Sequence, residues 1–159
     1  MKSISKYPPI TIIALVLLLS SFVSIPCSDT PVVNAKLINE ISFIENSWTL
    51  AAKKAKAEHK LIFVDAYAVW CGPCKLLKST TFKDPKAAEF FNKNFVNLSI
   101  DMEKGEGVAL SDKWKIDSYP TLMVLDDSGR VVLSSIGYLP AKDLIEFGKQ
   151  ALEKQKKNK

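Results

Sequence analysis

"LIFVDAYAVWCGPCK", Leu61 to Lys75, joins two kinds of sequence. Its first seven residues, Leu61–Tyr67, form a short apolar run rich in strand formers, which suits a strand buried on both faces. It ends with Cys71 and Cys74 three positions apart, Gly72 and Pro73 between them, and "KLLKSTTF" then continues in a helical pattern that Thr80 and Thr81 weaken. A buried strand that runs into a helix points to an α/β architecture. It leaves three readings of the cysteines: a redox pair, two legs of a metal site, or two buried core residues.

The segments on either side extend the alternation. "SWTLAAKKAKAEHK" begins on a capping residue, Ser47, and reads as a helix. Asp84 and Pro85 supply an N-cap and a first-turn proline for "KAAEFFNKNF", whose Phe90, Phe91 and Phe95 read as core aromatics. "FVNLSID" is the next strand and "GEGVALSDKW" a short helix. "TLMVLDDSGRVVLSSIG" reads as two strands joined by a tight turn at Asp126 to Gly129, and "AKDLIEFGKQALEK" as a closing amphipathic helix. "LINEISFI" is expected as a short first strand. The expected fold is therefore a central mixed β-sheet with helices on both faces, partly antiparallel because it ends in a hairpin.

The chain has 159 residues and a formal charge of +5. One core is the expectation at that length. The excess charge lies in Lys2, Lys6 and the lysine-rich tail, while acids and bases balance between residues 36 and 148 and are interleaved there. Such a surface argues against nucleic acid as a partner, because phosphate binding needs Lys and Arg gathered on one face. The tail "KQKKNK" reads as a frayed, solvated helix end, the alternative being a weak contact with acidic lipid or protein.

Lys2 and Lys6, an apolar run from Ile10 to Ile25 and a polar stretch after it read as an export signal over residues 1–35. As a helix the run would span about 24 Å, short of the roughly 30 Å hydrocarbon layer, so a removed signal is expected before a permanent membrane anchor. Val33-Asn34-Ala35 is the best small-residue cleavage site, and lipidation of Cys27 is the alternative fate of this segment. Residues 36–159 would then form the working domain, outside the cytoplasm, where thiols tend to be oxidised unless something keeps them reduced.

If Cys71 ends the buried strand and Gly72 opens a helix, Cys71 lies beside free backbone N–H groups. Those donors and the helix dipole favour a thiolate by up to about 2 kcal/mol. Cys74, one turn later and facing inward, would stay protonated until Cys71 has reacted, so Cys71 attacks and Cys74 resolves. Asp65 sits in a run that otherwise wants apolar side chains. Buried there, it would have a raised pKa and could accept the Cys74 proton; pointing from a strand edge to water, it would do nothing of the kind. Trp70 either covers the cysteine pair or packs beside it.

These residues resemble the thioredoxins, and among them the exported thioredoxin-like domains such as the C-terminal domain of thiol:disulfide interchange proteins. The likeness runs from Leu61 to Gly137 through "FVDAYAVWCGPCK", "TTFKDP", "VNLSID", "SYPTLMVLDDSGR" and "IGY". It implies a thioredoxin-like fold and a catalytic set of Cys71, Cys74 and Asp65. It also implies a substrate-binding surface of Trp70, Gly72, Pro73, Tyr119 and Pro120, a cis Tyr119–Pro120 peptide, and a structural part for Gly137. No cofactor is expected beyond the Cys71–Cys74 pair. Expected partners are proteins with disulfides or dithiols and a membrane electron donor, and the protein is expected to be a monomer. In cytoplasmic thioredoxins a lysine commonly pairs with the buried aspartate; Asn97 stands in its place here, which is expected to push the Asp65 pKa higher still.

The single His59, read as a solvated loop residue, supplies too few ligands for a four-ligand zinc site and lies at the wrong end of the strand for a Cys-His dyad. Asp126 and Asp127 read as turn residues. The rival in another class is a binding or holdase module of the same fold whose cysteines form a static disulfide.

Overall fold

A computed structural model describes residues 39–157 of the chain. The readings made for residues 1–35, including the export signal and Cys27, lie outside the described residues.

Five strands form one sheet in the order β1-β3-β2-β4-β5. They are β1 (Phe43–Glu45), β2 (Leu61–Tyr67), β3 (Phe95–Asp101), β4 (Thr121–Leu125) and β5 (Val131–Ile136). β3 runs parallel to both β1 and β2, whereas β4 is antiparallel to β2 and to β5. β2 is thus the central strand, and Leu61 to Ala66 are all buried, as a strand covered on both faces requires.

Successive side chains on a strand point to opposite faces, and the helices divide accordingly. On one face Ile62, Val64 and Leu98 meet Ala51 and Ala55 of α1 (Trp48–Glu58) and Leu110 and Trp114 of α4 (Glu106–Trp114). On the other, Phe63 and Leu122 meet Leu77 of α2 (Gly72–Ser79), Phe91 of α3 (Pro85–Asn94) and Leu144 and Phe147 of α5 (Ala141–Lys157). Gly148 brings α5 close to α3: a Cβ there would lie 2.6 Å from Phe90 Cε1 and 3.0 Å from Phe91 Cζ.

Local signals end the elements where the sequence places them. Ser47 Oγ accepts from Leu50 N at 3.3 Å, and the Glu106 carboxylate adds a second cap by accepting from Trp48 N at 2.7 Å. Asp84 Oδ1 accepts from Lys86 N and Ala87 N, both at 2.9 Å, ahead of Pro85. His59 closes α1 in the left-handed region (φ 53) and is exposed.

Two elements differ from expectation. β1 has only three residues: Ile41 N donates instead to Phe82 O (2.7 Å), and Asn46 turns the chain at φ 53. The helix after the cysteines stops at Ser79, because Thr80 Oγ1 bonds back to Leu76 O at 2.6 Å and the chain passes into a single 3-10 turn at Thr81–Lys83.

Candidate active site

The site forms where β2 hands over to α2. Met102 N donates to Tyr67 O (2.9 Å) and Cys71 N to Ala68 O (3.1 Å), which folds Ala68–Trp70 into a tight connection. Cys71 is itself the N-cap of α2: its backbone is extended, and its Sγ accepts the Cys74 N–H at 3.1 Å. A sulfur so placed receives a donor that has no partner inside the helix, together with the positive end of the helix dipole. The two cysteines form a disulfide with their Cα atoms 5.3 Å apart. Both are buried in this oxidised state, Cys71 at 2% and Cys74 at 1% exposure, so the asymmetry between them lies in hydrogen bonding and not in exposure.

Asp65 is wholly buried, which removes the reading in which it points to water. Ser99 Oγ donates to its Oδ2 at 3.0 Å, while Oδ1 has no hydrogen-bond partner among the described residues. Burial pushes the carboxyl up to about 6 against the opposing pull of Lys78 and Ser99.

The expectation built on Asn97 is corrected here. In register Asn97 lies beside Phe63, and its amide donates to Ser42 O (3.2 Å) and Asn92 Oδ1 (3.0 Å), tying β3 to α3 and to the residue before β1. The cation comes from α2 instead: Lys78 Nζ lies 4.0 Å from Asp65 Oδ2 and 3.4 Å from the centre of the Tyr67 ring. Lys78 follows Cys74 by four residues, so the two share one face of the helix.

Around the pair, Gly72 and Pro73 are exposed, and nothing lies within 4 Å of where a Gly72 Cβ would be. Trp70 is 65% exposed, so it does not bury itself over the cysteines; its ring meets Tyr119 edge-on at 5.8 Å, and its indole N–H donates to the Glu103 carboxylate at 3.0 Å. Tyr119 and Cys71 belong to one apolar cluster. The Tyr119–Pro120 peptide is cis, as the resemblance implies, and Pro120 O accepts from Gly137 N at 2.8 Å, with Gly137 at φ +96. Val69, Ile136 and Tyr138 add exposed apolar surface.

Three residues at this site escaped the sequence reading: Lys78, Ser99 and Glu103. Only the first had a legible signal, its helical spacing from Cys74.

A five-stranded mixed sheet with a Cys-x-x-Cys disulfide capping the helix after its central strand defines the class: a dithiol/disulfide protein on a thioredoxin-like fold. Residues 48–152 match the family model described as the thioredoxin-like domain, and the chain belongs to that family. The thiol:disulfide interchange protein DsbD of Haemophilus influenzae is 29% identical over 107 residues, which are 65% of this chain and 18% of that protein. Thioredoxin-1 of Drosophila melanogaster is 39% identical over 75 residues, 47% of this chain and 65% of that one. The chain thus spans less than two thirds of the length of these curated relatives. Among solved structures, a Bacteroides thetaiotaomicron protein provisionally assigned as a disulphide-isomerase is 46% identical with a TM-score of 0.64, the match covering 72% of this chain and 94% of that one.

Proposed function

We propose that this chain is an exported thiol:disulfide oxidoreductase that reduces disulfides in protein substrates. The observation that carries the reading is the Cys71–Cys74 disulfide at a helix N-terminus, with one sulfur already accepting a backbone N–H. In the reduced protein that donor and the dipole stabilise the Cys71 thiolate. The thiolate attacks a substrate disulfide, forming an S–S bond to one substrate sulfur and releasing the other as a thiolate. Asp65 in its ionised form takes the Cys74 proton. The Cys74 thiolate then attacks Cys71 Sγ, expels the second substrate sulfur and closes the protein disulfide. Two electrons have passed to the substrate, whose thiolates take protons from water.

The reductive direction is supported by Gly72 and Pro73 between the cysteines, the pair found in the reducing thioredoxins that the sequence resembles. The exposed Trp70 against the half-buried Tyr119, with Ile136 exposed opposite Thr121, suits an extended protein segment. Electrons are carried by the cysteine pair alone, without a further cofactor, and the protein acts as a monomer. Reduction outside the cytoplasm requires a membrane electron donor to regenerate the dithiol, a role in keeping with the likeness to DsbD.

Cys74→Ser tests the assignment of roles. It is expected to accumulate a mixed disulfide through Cys71 that a small thiol releases, whereas Cys71→Ser accumulates little. Equal trapping by both variants refutes the roles, and trapping by neither refutes the exchange reaction.

A further inference from the structure

β5 is the last strand of the sheet, paired with β4 on one side only. One bond fixes the direction of its outer backbone groups. Gly137 N donates to Pro120 O at 2.8 Å, just beyond the pair that Ile136 makes with Thr121. Pairs in an antiparallel ladder alternate between hydrogen-bonded and non-bonded, so Ile136 sits in a non-bonded pair and turns its own N–H and C=O away from β4. Ser134, two residues back and opposite Met123 with no register shift between them, does the same. Among the described residues neither has a backbone partner outside the ladder.

Natural sheets blunt such an edge with charges, with proline or with a covering element. β5 reads Val-Val-Leu-Ser-Ser-Ile and carries neither charge nor proline. On one face it also lies beyond the helices: Met123 and Leu125 are buried with residues of α1 and α4, but their β5 partners Ser134 and Val131 are exposed, as is Ile136. The edge runs into the redox site. Ile136 lies opposite Thr121, the residue after the cis Pro120, and Tyr119 on the other side of that proline belongs to the apolar cluster of Cys71.

We propose that the outer edge of β5 takes up an extended segment of the protein substrate as an added strand while the substrate cysteine is held at Cys71. The inference deepens the oxidoreductase reading and rests on it. Strand addition draws its affinity from main-chain hydrogen bonds, which any sequence can make, and its side-chain preference from what lies beside the new strand, here the exposed Val131 and Ile136. The substrate class is therefore unfolded or locally extended polypeptide with apolar side chains at alternate positions. An added strand lies two strand spacings, about 10 Å, from β4, so at least about three extended residues separate the reacting cysteine from the first paired one.

The test uses the full-length protein and a peptide with about eight residues on either side of one cysteine, which is bridged to glutathione. In the mixed disulfide trapped by Cys74→Ser, the Ser134 and Ile136 amides are expected to exchange hydrogen about tenfold more slowly than in the free protein, while the ladder-bonded Ser135 amide does not change. N-methylation of the peptide from the fourth residue outward on both arms removes its donors and spares the residues nearest the cysteine. It should raise KM at least about fivefold, the worth of one lost hydrogen bond. Ser134→Pro removes an outward donor from the protein, at an edge position that tolerates proline, and is expected to narrow the gap between the two peptides. Unprotected Ser134 and Ile136 amides in the trapped complex, or equal KM for the two peptides, overturn the proposal. So does a wild type that sediments as a dimer where Ser134→Pro is a monomer, since the edge then belongs to a second copy. If the wild type exchanges no disulfide, the oxidoreductase reading fails instead, and protection of the same two amides by a cysteine-free version of the peptide decides strand addition by itself.

Discussion

Asp65→Asn should make the protein more stable and a poorer catalyst. Burial lifts the carboxyl from 3.8 to about 6. A group whose pKa is raised on folding contributes stability that is fully present below its unfolded value and is lost as pH rises through the folded one. The wild type is thus favoured near pH 3 and carries the whole cost of a buried charge by pH 8. Roughly two units at 1.36 kcal/mol each amount to about 3 kcal/mol. Asparagine has nearly the same shape, never ionises, and can still accept the Ser99 hydroxyl. Urea unfolding of the oxidised proteins should show Asp65→Asn more stable by about 3 kcal/mol at pH 8, a midpoint shift of about 1–3 M at ordinary m-values, and close to the wild type at pH 3. Disulfide exchange by the variant should be slower at neutral pH, because no side chain then accepts the Cys74 proton. Equal stability at pH 8 would refute the electrostatic argument, and unchanged exchange rates would reduce Asp65 to a structural residue.

Other substitutions probe the frame around the site. Gly148→Ala should destabilise the fold by about 1–3 kcal/mol, since the added methyl meets Phe90 and Phe91 between α3 and α5; thermal unfolding measures it directly. Burial alone would raise the Asp126 carboxyl, but hydrogen bonds from Ser128 and Arg130 outweigh it and hold it at about 2. Asp126→Ala should therefore cost about 2 kcal/mol at neutral pH by loosening the β4–β5 turn, and the cost should shrink as pH falls from about 4 through 2. A pH series of unfolding curves that stayed parallel for the two proteins would contradict that account.

Much of the fold was legible because local chemistry and tertiary structure agree. The apolar run at Leu61–Tyr67 is the central strand, Ser47 and Asp84 cap the helices they precede, and Asp126 to Gly129 turn the hairpin. What could not be read depends on register. Nothing within "FVNLSID" says whether Asn97 or Ser99 lies beside Asp65; the pairing of β2 with β3 decides for Ser99. That β3 carries Asn97 and no lysine was visible, but that Lys78 places a cation beside Asp65 required knowing that α2 lays that face across Tyr67. Glu103 likewise meets Trp70 only because two connections at the same end of the sheet converge. β1 is brief because Ile41 N bonds to Phe82 O before it and Asn46 turns the chain into the left-handed region after it, a conformation that asparagine tolerates without demanding it.

The central claim, that Cys71 and Cys74 form a working redox pair poised for reduction, is tested most directly by its reduction potential, measured by equilibrating the protein against glutathione mixtures. The account predicts reversible exchange with a value near that of thioredoxin, about −270 mV. A value near −120 mV would contradict the reductive direction, because such a pair oxidises its substrates. A disulfide that never exchanges would contradict the enzyme itself and leave a binding module on the same fold.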